Sequence, residues 1–236
     1  MTRVDRWSES DFPMAQFPRL YAIVDAAPFT STETLVQLAT ELAAAGCTLI
    51  QYRNKLGNAR FMLEQAKELR RLFSPDQNSQ VSQNRRDLGH PTFGSVRLIM
   101  NDRADLGLAA DFDGVHVGQD DLSPEAVRRI IGPDRWLGVS THNPEQLREA
   151  DLTSAGYLAI GPVFVTSSKA NPDPVVGLEG VRRARQLTRK PLVAIGGITR
   201  ANAASVLEAG ADSVAVISDL LRDPRKSAEE FLRILG

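Results

Sequence analysis

A single cysteine, Cys47, stands in the 236 residues, so an intramolecular disulfide is excluded. At the start of an apolar run it reads as a small buried apolar side chain rather than a nucleophile. Histidine is nearly as scarce: His90, His116 and His142 show no metal-ligand spacing. No apolar run approaches the length of a transmembrane span. The first nineteen residues are polar, carry acids and contain no apolar signal core, so the expectation is a cytoplasmic protein without a membrane partner. An excess of charge of either sign is also missing. With 28 Lys and Arg against 29 Asp and Glu the net charge is -1, and no global field draws nucleic acid. Any anion site must be a local cluster.

What is there is ordinary globular composition, 42% hydrophobic and 24% charged, at a length that fits one large α/β barrel or two small domains. From Leu20 onward short apolar runs alternate with helical patterns. The runs fall at 20–25, 47–52, 96–101, 113–118, 135–140, 156–161, 191–196 and 212–217; the helical segments fall at 32–45, 59–73, 103–110, 123–131, 143–150, 177–188, 199–209 and 224–235. Ser123-Pro124 and Asn143-Pro144 are cap-then-proline starts, and Thr199 opens a helix. Gly46 and Gly210 follow helices where a left-handed residue is wanted. The units average roughly 27 residues, the size of one βαβ step. The pattern predicts a single closed (β/α)8 TIM barrel over 20–236 with a polar insertion at 74–95 and an appended extension at 1–19. Trp7 and Phe12 are candidates to pack that extension on the barrel. A doubly wound sheet is disfavoured because no G-x-G-x-x-G follows the first strand.

In such a barrel the carboxyl ends of the strands carry chemistry. The second strand ends in "IQYRNK", and alternation puts Gln51, Arg53 and Lys55 on one face. Strand three ends in Asn101-Asp102-Arg103, and strand four leads through Gly118 to Asp120 and Asp121. Carboxylates with water and substrate phosphate are the usual Mg²⁺ environment. Helix capping is an equally ready use of Asp102 and Asp121. After strand five, Ser140 or Thr141 can donate to an anion, and His142 can titrate or cap. His116, inside a strand, reads as a satisfied core histidine. A long hydroxyl-rich loop with Lys169 follows strand six and has the length of a lid. "AIGGIT" and "AVIS" after strands seven and eight predict a phosphate site near Gly197 and Ser218. The rim therefore offers two anion sites. The one near Arg53, Lys55, Lys169 and the two acids suits departure of a diphosphate, stabilised electrostatically.

Taken in order, "QYRNK", "MNDRADLGLAADFDGVHVGQDDLS", "LGVSTHN", "GPVFVTSSK", "VAIGGI" and "AVIS" make residues 20–221 resemble thiamine-phosphate synthases. The resemblance implies an Mg²⁺-dependent transferase that joins a hydroxymethylpyrimidine diphosphate to a thiazole phosphate and releases diphosphate. It implies that Gln51, Tyr52, Arg53, Asn54 and Lys55, with Asn101, Ser140 and Lys169, hold the pyrimidine diphosphate. Arg53, Lys55, Lys169 and Ser140 would be catalytic. Asp102 and Asp121 would be metal ligands, and Thr166, Ser167, Ser168, Gly197, Ile217 and Ser218 would hold the thiazole phosphate. Where the family's lid reads Pro-Thr-x-Thr-Lys, this chain has Val165-Thr166-Ser167-Ser168-Lys169, which removes a rigid turn residue. The expected partners are these small molecules, with room for a homo-oligomer. The alternatives are a sister thiazole tautomerase using His142 as acid and base, a non-catalytic phosphate-ligand barrel, and another phosphate-using barrel enzyme.

Overall fold

The computed structural model describes residues 17–26, 29, 31–74, 96–166 and 173–236. Most of the expected extension, including Trp7 and Phe12, and all of the expected insertion but Ser74 lie outside the described residues. The described chain runs β1 (Leu20–Asp25), α1 (Thr32–Ala44), β2 (Leu49–Arg53), α2 (Ala59–Phe73), β3 (Arg97–Asn101), α3 (Ala104–Ala109), β4 (Gly114–Val117), α4 (Pro124–Ile131), β5 (Trp136–Thr141), α5 (Pro144–Asp151), β6 (Tyr157–Ile160), α6 (Gly177–Leu187), β7 (Leu192–Ile195), α7 (Ala203–Glu208), β8 (Ser213–Val216) and α8 (Pro224–Leu235). The strands pair in parallel and in chain order, with β8 closing on β1, so the barrel is complete. No helix among the described residues is long and apolar enough to cross a membrane.

Period-two alternation sorts each strand into an outer and an inner set. Outward residues such as Ile50, Tyr52, Leu98, Met100, Leu158 and Val214 meet the helices in the main apolar core. Inward residues Tyr21, Ile23, Leu49, Ile99, Tyr157, Ala159, Val193 and Ala215 form a second cluster inside the barrel. Phe17, just before β1, stacks on Trp136 with ring centroids 5.4 Å apart and lies 5.3 Å from Tyr157, so it stoppers the amino-terminal mouth. Cys47 is buried and its thiol is pushed up to about 11 by that burial, as an inert packing residue should be.

The helix starts read from sequence have their caps. Ser123 Oγ accepts from Ala126 N at 3.3 Å, and Asn143 Oδ1 accepts from Gln146 N at 2.9 Å. Gly46 and Gly210 sit at φ of 98° and 108°. The start expected at Thr199 differs: residues 199–202 form a turn, and α7 begins at Ala203. The Asn202 carboxamide causes this. It accepts from Thr199 N at 2.8 Å and donates to Gly197 O at 3.1 Å, a local alternative to the helical ladder.

Candidate active site

A cavity of about 530 Å³ opens at the carboxyl ends of the strands, within the usual range for a small-molecule site. Gln51, Arg53, Lys55, Asn101, Asp102, Asp121, Ser140, Thr166, Gly197, Ile217 and Ser218 all line it. Ser167, Ser168 and Lys169 lie outside the described residues. Two of the expected residues are not among those that line the cavity. Tyr52 and Asn54 do not reach the cavity, because alternation turns them outward against α2. Tyr52 is fully buried and its hydroxyl donates to Gln65 Oε1 at 2.6 Å. Asn54 Nδ2 donates to the same oxygen at 3.1 Å, and its Oδ1 accepts from Leu56 N at 3.0 Å and Gly57 N at 2.7 Å. Asn54 thus folds the turn that carries Lys55.

The cationic side is held in place before any ligand arrives. Arg53 is ion-paired to Asp25 at the end of β1, an acid that sequence reasoning passed over although it closes a strand at the same rim. Lys55 crosses to Asp102. Asp102 is one of two non-glycine residues at positive φ among the described residues, at 60°; the other is Asp111. A left-handed residue costs on the order of 1 kcal/mol, and Asp tolerates it better than most. Neither acid caps a helix, so that use is excluded: α3 has no side-chain cap and α4 is capped by Ser123. Asp121 Oδ2 instead accepts from Gly118 N at 2.8 Å.

Burial pushes the Asp102 carboxyl up, the Lys55 ammonium pulls it back, and the neighbouring Asp121 pushes it up again. Two close carboxylates, one of them partly desolvated, make an oxygen-donor pair that a hard cation would relieve. No cluster of three or more His, Cys, Asp or Glu suited to a metal exists among the described residues. The pair therefore fits Mg²⁺, which keeps waters and takes substrate oxygens, better than a cation needing an all-protein cage.

The opposite side is built from glycines. Gly196 and Gly197 lie at φ of 100° and 63°. A β-carbon on Gly197 would come within 2.5 Å of Val165 O, so the loop after β7 and the loop after β6 can touch only if this residue lacks a side chain. Phe164 N donates to Gly196 O at 3.0 Å across the same seam. Arg200 ties the loop after β7 to the loop after β8. Its backbone N donates to Asp219 Oδ2 at 3.0 Å, and its guanidinium grips Asp219 and Glu230. Ser218 is thereby set near Gly197.

His116 is the satisfied core histidine expected from its place in a strand. It is buried, with Nδ1 3.1 Å from the Tyr157 hydroxyl and Nε2 2.8 Å from Ser140 Oγ. Burial lowers its pKa from 6.5 to about 4. Below pH 6.5 the unfolded chain takes a proton here that the folded chain refuses until about pH 4. This stabilisation is complete above 6.5 and is lost as pH falls toward 4, a swing of about 3 kcal/mol. Urea unfolding of wild type and His116→Gln across that window should show a shallower acid loss in the variant. Parallel curves would mean the ring titrates normally. His142 does not cap either; Nδ1 lies 2.6 Å from Gly161 O and Nε2 lies 3.5 Å from Asp173.

The comparisons with known proteins point one way. A family model described as thiamine monophosphate synthase matches residues 20–220. A thiamine-phosphate synthase of Koribacter versatilis is 57% identical over 223 residues, covering 93% of this chain and 97% of the relative. That of Chloroflexus aurantiacus is 41% identical over 220 residues, covering 92% of each. Among solved structures, thiamine phosphate pyrophosphorylase from Pyrococcus furiosus superposes with a TM-score of 0.74 at 34% identity, over 92% of this chain and 95% of that one. The chain belongs to the thiamine monophosphate synthase family.

Proposed function

We propose that this protein joins a 4-aminopyrimidine bearing a diphosphooxymethyl group to a thiazole phosphate, giving thiamine phosphate and diphosphate. The observation that carries the reading is the convergence of Arg53, Lys55, Asp102 and Asp121 on one rim, opposite the glycine seam at Gly197 and Ser218, within one cavity. A transferase with a polyanionic leaving group needs these two sites and no general base between them.

In this reading Gln51, Asn101 and Ser140 orient the pyrimidine at the cavity floor. Arg53 and Lys55 stabilise the departing diphosphate. Arg53 is suited to this because Asp25 fixes its planar fork while donors remain for phosphate oxygens. Lys55 would exchange its Asp102 contact for the diphosphate. Lys169, beyond the described residues, belongs to the same leaving-group set. Asp102 and Asp121 would hold Mg²⁺, which when bound supplies positive charge to the leaving oxygens. The thiazole phosphate sits at Thr166, Ser167, Ser168, Gly197, Ile217 and Ser218, leaving its ring nitrogen to take the pyrimidinylmethyl group.

The tautomerase alternative asks His142 for acid and base chemistry. The 2.6 Å contact to Gly161 O commits Nδ1 as a donor to a carbonyl, and such a reaction leaves the cationic rim without work. Incubation with both substrates and Mg²⁺ should yield thiamine phosphate by chromatography. Turnover of the thiazole alone would favour the tautomerase.

Gly197→Ala tests the phosphate side. At φ 63° and 2.5 Å from Val165 O, the new methyl must push the two loops apart. Stability should fall by about 1–2 kcal/mol and the KM for thiazole phosphate should rise about tenfold, with the KM for the pyrimidine diphosphate nearly unchanged. Equal effects on both substrates would place the seam elsewhere in the chemistry.

A further inference from the structure

An arginine and an aspartate staple β7 and β8 together at both of their ends. At the amino ends Arg185 donates to Asp212 Oδ2 at 2.7 Å, and the same oxygen accepts from Leu192 N at 2.7 Å. The device recurs at β3 and β4. There Arg70 donates to Asp113 Oδ2 at 2.9 Å, and that oxygen accepts from Leu98 N at 2.7 Å. These two staples sit at the mouth away from the cavity and serve the fold.

The staple at the carboxyl ends of β7 and β8 is Arg200 with Asp219, and it lies beside the glycine seam. Arg200 follows Gly197 by three residues, and Asp219 follows Ser218 within a single 3-10 turn, Ser218–Leu220. Asp219 accepts from Arg200 N at 3.0 Å and Nε at 3.1 Å on Oδ2, and from Nη2 at 3.1 Å on Oδ1. Arg200 Nη1 donates to Glu230 Oε2 on α8 at 2.5 Å, which anchors the pair to the outer layer. Gly197, Ile198, Ile217 and Ser218 line the cavity, whereas Arg200 and Asp219 do not. The pair therefore sets the two loops without touching what they bind. Charge adds a second effect. A bare carboxylate one residue from Ser218 would repel a phosphate dianion, and the guanidinium fork covers both of its oxygens.

We propose that Arg200 is a positioning residue for the phosphate side of the site: through Asp219 it fastens the Ser218 turn to the Gly197 loop and keeps a carboxylate from opposing the incoming phosphate. The inference rests on the thiazole phosphate reading given under Proposed function.

The test compares the two ends of the same strands. Calorimetry with thiazole phosphate alone gives its Kd, kinetics with each substrate varied give two KM values, and urea gives the unfolding midpoint. Arg200→Met should weaken thiazole phosphate about tenfold in both Kd and KM, with the KM for the pyrimidine diphosphate nearly unchanged. Arg185→Met removes the staple at the amino ends; it should lower the midpoint and leave both KM values alone. Adding Asp219→Asn to Arg200→Met should recover part of the lost affinity, because the uncovered charge goes while the acceptor for the backbone N of residue 200 stays. A staple that served the fold alone would show no such recovery. Arg200→Lys keeps the charge without the fork and should fall between, so the comparison stands if Arg200→Met fails to fold. Unchanged thiazole phosphate affinity in both Arg200 variants, equal weakening of both substrates, or the same loss in Arg185→Met would overturn the proposal. Failure of wild type to bind thiazole phosphate would overturn it through its substrate reading instead, and the wild-type titration tells the two failures apart.

Discussion

Asp102→Asn is expected to cut turnover on the order of 10³-fold or more while leaving the unfolding midpoint nearly where it is. The two halves of that result have separate causes. Asparagine, like aspartate, tolerates the left-handed backbone that this position adopts at φ 60°, so the turn between β3 and α3 is kept. The lost ion pair with Lys55 is half exposed on the lysine side, and such pairs contribute little to folding. Removing one carboxylate also ends its repulsion with Asp121. What goes is the charge that would hold Mg²⁺ at the leaving group. The comparison is kcat at saturating Mg²⁺ beside a urea unfolding curve. A near-normal rate would sink the metal assignment, and a collapsed midpoint would make Asp102 a structural residue.

Arg53→Met should lower kcat/KM for the pyrimidine diphosphate on the order of 10²-fold, with the KM for thiazole phosphate unmoved. The methionine keeps the length of the stem but removes the ion pair to Asp25 and takes the fork from the diphosphate. Arg53→Lys should fall between, because an ammonium restores charge without the bidentate geometry that the Asp25 contact now aims. Steady-state kinetics with each substrate varied separately decides it. If lysine restored full activity, the fork would be irrelevant and only local charge would matter.

The barrel was readable because each of its units repeats the same two signals, an apolar run and a capped amphipathic segment. Both are local, and local signals survive without coordinates. The rim was readable for a related reason. A charge at the carboxyl end of a strand contradicts the apolar run before it, as Arg53, Lys55 and Asp102 do. Other features were out of reach because they are settled by contacts between distant residues. Asp25 looks like any strand terminus until Arg53 is seen against it. Tyr52 and Asn54 sit inside the informative hexapeptide, yet alternation alone, applied strictly, would have turned them outward to Gln65. Asp102 and Asp121 looked equally fit for capping, and only the start of α3, which has no side-chain cap, and the Ser123 cap of α4 remove that use. The hydrogen bonds that run from Gln51 through Tyr21, Tyr157 and His116 to Ser140 join five strands and have no sequence signature beyond a histidine and two tyrosines in apolar runs.

One experiment reaches the leaving-group chemistry most directly: diphosphate release and thiamine phosphate formation measured together while Mg²⁺ is titrated, in wild type and in Asp102→Asn. The expected result is one diphosphate for each thiamine phosphate, a rate that saturates with Mg²⁺, and a variant that stays near background throughout. Thiamine phosphate formed at full rate without Mg²⁺, or diphosphate released with no coupled product, would contradict a rim built to carry a departing diphosphate to its replacement by the thiazole.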